Sequence, residues 1–328
     1  MNQREQIKGI ISQILADKKD KGGVKQIYFV GCGGSLGALY PAKNFMEREA
    51  MTIKTGWISS NEFVHSTPRD FGENSIAVIA CHKGNTPETI AAAKLGCEKG
   101  AAVIVLTWLE ESEIIPYAQY PVFYTFGDNK DIAGEKTMCA LYAAAELLQQ
   151  TEGYENYDLF MEGADRIDGI VKRACKHVEK KAAAFAKEYK DDKVIYTMGS
   201  GAGYGAAYME SICIFMEMQW INSSSIHTGE FFHGPFEITD TEIPFLIQVS
   251  EGTTRPLDER ALKFLKTYAK RIEVVDAKDL GLSTIDGKVV DYFNHSLFNN
   301  VYPVYNKALA AERQHPLTTR RYMWKVEY

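Results

Sequence analysis

A short apolar run, a glycine-rich turn and a helical stretch follow one another more than once in this chain, and that repetition constrains its fold most. Gln26–Val30 enters Gly31-Cys32-Gly33-Gly34-Ser35 and then a helical stretch from about Leu36 to Arg48. Asn74–Ala80 enters the loop from Cys81 to Thr89, with Thr86 placed as N-cap and Pro87 as the first helical residue. Runs apolar on both faces suit parallel strands covered by helices on each side. Further strands are predicted at Lys54–Ser59, Ala102–Thr107 and Tyr120–Phe126, and a long helix at Glu135–Leu148. The charged, Ala-rich run Asp165–Tyr189 reads as a helical connector. The plan then restarts: a strand at 194–198, Gly199-Ser200-Gly201 as a loop remnant, a helix at 205–219, a strand near Ser224 and a helix around Gly229–Glu237. Pro244–Val249, Leu257–Ala269 and Arg271–Val275 read as strand, helix and strand, and a last helix runs from Phe298 to about Arg313. The expectation is an α/β protein of two units built alike.

The two loops of the first unit collect anion-binding groups. Glycine backbone N–H groups and the Ser35 hydroxyl stand at one helix N-terminus; His82, Lys83 and Thr86 stand at the other. Helix N-termini favour negative charge. Either loop alone is a weak signal, since glycine turns also serve close packing. Two such loops on neighbouring strands would meet at the carboxyl edge, where open α/β sheets bind ligands.

The richest stretch is Gly205–Glu237. Met209, Ile212, Cys213 and Met216 have the spacing of a helix with one buried face. Glu210 and Glu217, seven residues apart, are expected nearly above one another on that helix. Apolar neighbours Phe215, Met216 and Met218 predict a raised pKa for Glu217, towards the range of a base. His233 follows, set beside Gly234-Pro235, while Trp220 reads as core. As local structure alone, Glu217 fits a structural ion pair and His233 a turn histidine almost as well.

Composition narrows the function. With 45% hydrophobic and 24% charged residues the 328-residue chain is of globular type. A net charge of −6 without a long basic block argues against a nucleic-acid surface. No apolar stretch reaches the roughly 20 residues that span a bilayer, so no membrane partner is expected. The N-terminus reads as an amphipathic helix rather than a signal peptide. Six cysteines without a C-x-x-C pair suggest reduced thiols, a cytoplasmic location, and neither a metal nor a redox site.

Cys32-Gly33-Gly34-Ser35, the loop Cys81–Thr86, Glu210 and Glu217, and Gly229-Glu230 with His233-Gly234-Pro235 together resemble the double sugar-isomerase (SIS) domain family. The run Trp220–His227 and the ending Val326-Glu327-Tyr328 resemble its fructosamine-6-phosphate deglycases in particular. The resemblance implies two tandem SIS domains, each a flavodoxin-like parallel sheet flanked by helices. It divides the chain into an N-terminal helix (1–14), a first SIS domain with the phosphate loops (15–153), a helical connector (154–180), a second SIS domain with the catalytic helix and histidine loop (181–313), and a tail over the site (314–328).

Carried over by residue, the resemblance implies Glu217 and His233 as catalytic groups, sixteen positions apart. It implies phosphate or substrate binding by Gly33, Gly34, Ser35, Cys81, His82, Lys83 and Thr86. Glu210, Glu230, Arg321 and Lys325 are candidate substrate contacts. Cys81 and Lys83 replace serines of the synthase members, and a lysine suits a phosphate dianion. The imine-forming lysine of those members falls on Arg321 or Tyr322, and a second lysine on Ile214, which speaks against synthase chemistry. Because the chain begins with the sugar-phosphate half, delivery of ammonia from glutamine is not expected. The implied reaction releases an amino acid from a phosphorylated Amadori product without a cofactor. The implied assembly is a homodimer or higher homo-oligomer with shared sites. A hexose-phosphate isomerase and a non-enzymatic sugar-phosphate sensor are the other readings.

Overall fold

The computed structural model describes residues 2–127 and 130–327; Met1, Asp128, Asn129 and Tyr328, the last residue of the family-like ending, lie outside them. The chain divides into two units, Met1–Asp165 and Arg166–Tyr328.

Unit 1 starts with helix α1 (Gln3–Lys18), which buries Ile7, Ile11 and Ile14. Then follow β1 (Gln26–Gly31), α2 (Gly33–Glu49), β2 (Lys54–Ser59), α3 (Ser60–His65), β3 (Ser75–Ala80), α4 (Pro87–Glu98), β4 (Ala102–Thr107), β5 (Tyr120–Phe123) and α5 (Lys136–Thr151). The five strands are all parallel, in the order β2-β1-β3-β4-β5. That is the flavodoxin-like order, whose ligand crevice lies between β1 and β3. Every residue of β1, β3 and β4 is buried, as their uninterrupted apolar runs require. The predicted strand Tyr120–Phe126 ends at Phe123, with Phe126 exposed.

Helix α6 (Tyr157–Tyr189) is 33 residues long and begins eight residues before the predicted helical run Asp165–Tyr189. Unit 2 continues with β6 (Tyr196–Gly199), α7 (Tyr204–Met209), a π-helical segment (Glu210–Met218), β7 (Ser225–His227), β8 (Phe245–Val249), α8 (Arg255–Tyr268), β9 (Ile272–Asp276) and α9 (Asn294–Glu312). Its four parallel strands run β7-β6-β8-β9, which is the plan of unit 1 without a fifth strand. Met198, Phe231, Phe245, Ile247, Val249 and Leu265 form part of its core.

Unit 2 differs from the expectations in three places. Residues 228–234 are turns and Pro235–Ile238 one 3-10 turn, so no regular helix spans Gly229–Glu237. The glycine and proline there break the ladder of hydrogen bonds that a helix needs. The segment predicted as one helix at 205–219 turns into a π-helix at Glu210. Its wider turn buries Ser211, Phe215 and Gln219 instead of the stripe Met209, Ile212, Cys213 and Met216. Trp220, with φ of 55°, closes that segment and is 41% exposed rather than part of the core.

Candidate functional site

The crevice of unit 1 is built by the loops after β1 and β3. Cys32 is extended, and Gly33 takes φ of 52°, a left-handed conformation that glycine adopts without steric cost. Helix α2 therefore begins at Gly33, three residues earlier than predicted, and Gly33, Gly34 and Ser35 form its first turn. The N–H groups of Gly33 and Gly34 precede any intrahelical acceptor, so they are available to an anion. In the second loop Thr86 holds the N-cap position of α4, yet its hydroxyl makes no capping bond. The Cys81 N–H donates to Leu106 O at 3.0 Å and its thiol is buried, so this residue serves the sheet. Lys83 is exposed at the loop surface. The loops touch: the Thr89 hydroxyl bonds Ser60 Oγ at 3.0 Å and lies 3.9 Å from Cys32 Sγ.

His82 stands apart from the other loop residues. Its Nδ1 lies 2.6 Å from the Tyr124 hydroxyl, and its ring stacks on Trp108 at 5.4 Å and 9°. Burial, reinforced by Lys136 and Lys83, pushes its pKa down to about 4. The imidazole is therefore neutral at neutral pH and serves as a hydrogen-bonding group, not a cation.

Lys136, which sequence reasoning passed over, donates from Nζ to Ser35 Oγ at 2.9 Å and lies 5.2 Å from the centre of the Tyr124 ring. It sits inside a run read only as a long helix, 101 residues from its partner. A polar first residue on an otherwise apolar helix was the available signal.

Unit 2 repeats the backbone of the first loop. Ser200 is extended and Gly201 has φ of 52°, matching Cys32 and Gly33. Here, however, the protein's own carboxylates fill the crevice between β6 and β8. Asp291, 2% exposed, accepts from Thr253 N–H at 3.0 Å and from its hydroxyl at 2.8 Å. It lies so close to Gly252 that a Cβ there would come within 2.5 Å of the carboxylate. Asp258 accepts from Ser250 N–H at 2.9 Å and from the Thr228 hydroxyl at 2.6 Å. Asn294 braces Glu251 from both sides, at 2.8 and 2.7 Å. Ser200-Gly201 thus copies the conformation of Cys32-Gly33, and the Ser200 hydroxyl donates to Thr254 O at 3.3 Å.

The two carboxylates of the 210–218 segment do not share a face. Their partners come from different elements because a π-helix does not stack residues seven apart as an α-helix does. Glu210 is fully buried, accepts from Asn306 Nδ2 at 3.1 Å, and is pushed up to about 8 by burial. Glu217 faces the tail: its Oε1 lies 2.7 Å from Arg320 Nη2. Burial raises the pKa of Glu217, and Arg320 opposes that shift without cancelling it.

Arg320 was also missed, because nothing local distinguishes it from Arg321. Its Nη1 donates to the Leu317 and Thr319 carbonyls, and Lys325 Nζ donates to its carbonyl at 2.6 Å. Lys325 therefore pins the tail. Arg321 lies over the Trp220 ring at 4.2 Å, which explains why that tryptophan is half out of the core. His233 is exposed, its N–H donating to the Glu230 carbonyl at 2.9 Å, and its imidazole makes no hydrogen bond to Glu217. Glu230 is exposed on the same turn.

The chain matches known proteins along nearly its whole length. Fructosamine deglycase FrlB of Bacillus subtilis (strain 168) is 43% identical over 319 residues, covering 97% of both chains. The chain belongs to the fructosamine deglycase family. Fructoselysine 6-phosphate deglycase of Escherichia coli (strain K12) is 26% identical over 81% of this chain and 77% of its own length. A crystal structure from Salmonella typhimurium LT2, provisionally described as a phosphosugar isomerase, superposes with a TM-score of 0.97 at 47% identity, covering 100% of this chain and 98% of that one. No family model matches the chain. Membership in the deglycase family identifies the two units as tandem SIS domains. Among the described residues of this family member, no helix is long and apolar enough to cross a membrane.

Proposed function

We propose that the chain is a cytoplasmic deglycase that hydrolyses a fructosamine 6-phosphate to glucose 6-phosphate and a free amino acid. The observation that carries the reading is Glu217, a carboxylate withdrawn from water with a raised pKa, in a chain 43% identical to FrlB. The 6-phosphate is held by the N–H groups of Gly33 and Gly34, the hydroxyls of Ser35 and Thr86, Lys83 and the neutral His82. Cys81 supports this loop from within the sheet.

The chemistry needs one base that works in both directions. His233, exposed and able to exchange protons with solvent, moves the proton that opens the sugar ring. Glu217 removes a proton from C1, and the electrons shift to give an enaminol. The same carboxyl returns the proton to C2, leaving a C1–nitrogen imine. Water adds to C1, the carbinolamine expels the amine, and glucose 6-phosphate remains with its carbonyl at C1. The nitrogen comes with the substrate, so no enzyme lysine is required. Arg320 favours the ionised form of Glu217 against the effect of its burial, and a base works in that form. Arg321 and Lys325 hold the tail across Trp220, while Glu210 and Glu230 brace the helix and turn that present the two catalytic groups.

A homodimer fits the surface. Met216 and Trp220 are 40% and 41% exposed beside Glu217, apolar area that a second copy would cover. Sedimentation equilibrium reads this directly, and a monomer at all concentrations would remove it.

A coupled assay for glucose 6-phosphate, with fructosamine 6-phosphates glycated at the α- or side-chain amine, tests the activity. Release by the wild type and a loss of about 10²- to 10⁴-fold in Glu217→Gln are expected. Conversion of fructose 6-phosphate without release of any amine would replace this reading with an isomerase.

A further inference from the structure

Seen from its charges, the crevice of unit 1 has two sources of positive charge, and only one of them lies in a loop. His82 contributes none, because it is neutral. Lys83 stands on the surface of the second loop. Lys136 enters from the opposite side, as the first residue of α5. A cation is disfavoured there, since the helix dipole is positive at that end. Glu135, at the N-cap, makes no capping bond and pairs with Lys130. Beside it lies the loop to which the proposed function assigns the anionic phosphate of the substrate.

The contacts of Lys136 point to where that anion sits. Its ammonium bonds Ser35 Oγ at 2.9 Å, on the first turn of α2. It lies over the ring of Tyr124, whose hydroxyl meets His82 Nδ1 at 2.6 Å on the second loop. One side chain therefore touches the first loop directly and the second through a single aromatic residue. Resting on the phosphate reading given above, we propose that Lys136 is a second cationic ligand of the substrate's phosphate, acting with Lys83 and holding both loops as one cradle. Two ammonium groups match the charge of a phosphate monoester dianion, which is about −2 above its second pKa near 6. The cradle is thereby selective for the dianion over neutral sugars and over monoanions.

The test uses the full chain and needs no turnover. Glucose 6-phosphate, inorganic phosphate and glucose are titrated calorimetrically into wild type, Lys136→Met, Lys136→Gln and Lys136→Arg. The expected result is weakening of both phosphates by about ten- to a hundredfold in the Met and Gln variants, the size of a lost charge-assisted hydrogen bond. Arg restores part of the affinity, and glucose is unaffected throughout. In the wild type, phosphate also shifts the His82 ring resonances, and this shift shrinks in the Gln variant. Should Met fail to fold, Gln retains a hydrogen bond to Ser35 and carries the test alone. Wild-type affinity in Lys136→Gln, or no phosphate binding by the wild type, overturns the proposal. Binding as expected without release of an amine from any fructosamine 6-phosphate leaves Lys136 a phosphate ligand and removes the deglycase reading instead.

Discussion

The guanidinium of Arg320 lies 2.7 Å from the carboxylate of Glu217, with side chains only 10% and 21% exposed. In so dry a setting the pair sets the protonation state of the carboxyl group. Burial favours the acid form and Arg320 favours the base form. Replacing Arg320 with Met removes the stabilising charge, so the pKa of Glu217 rises further. The acid limb of the kcat/KM profile should move to higher pH, while Lys at this position should retain most of the wild-type limb. An unmoved limb would show that Arg320 does not tune this base.

Glu210 makes the fold itself pH-dependent. Its folded pKa of about 8 lies above the ordinary 4.5, so the folded state holds the proton more tightly than the unfolded one. The contribution is fully present below about 4.5 and is lost as pH rises through about 8. Urea unfolding at a series of pH values should show stability falling across that window, with a flatter slope in Glu210→Gln. Asn306 donates to the carboxyl group at 3.1 Å, so Gln can keep this contact without the charge.

The Asp291 carboxylate occupies the loop after β8, the counterpart in unit 2 of the second loop of unit 1. Asp291→Ala leaves the Thr253 N–H and hydroxyl without their acceptor and should cost about 1–3 kcal/mol. Phosphate should restore part of that loss, measured as a larger rise in Tm than in the wild type at equal ionic strength. Equal rises in the two proteins would mean that the emptied loop does not take up the anion.

Trp220 holds the tail through Arg321, at 4.2 Å from its ring. Trp220→Ala should change global stability by no more than about 1 kcal/mol, as an exposed cation–π contact is worth little. The tail should nonetheless loosen. Limited proteolysis between Leu317 and Lys325 is expected to speed up several-fold, and an unchanged rate would place the tail's anchor elsewhere.

Much of this protein is legible in its sequence. The buried runs at β1, β3 and β4 and the glycine turns after them are local patterns, and each predicts its own strand or helix start. Glu217 stands out because a carboxylate among Phe215, Met216 and Met218 is unusual wherever that segment folds. The register of the 210–218 segment was not legible. An α-helix and a π-helix share the same apolar sequence, and the choice depends on which side chains the neighbouring elements accept.

The sequence by itself determined the alternation of elements and the glycine turns between them, and it offered Glu217 and His233 as candidates. Those properties rest on spacing and side-chain chemistry within a few residues. The tertiary structure alone decided that Lys136 reaches Ser35 across 101 residues, that Asp291 fills the second crevice, and that Arg320 rather than Arg321 meets Glu217. Such pairings depend on which strand edge and which helix end the topology brings together, and no local pattern encodes that distance.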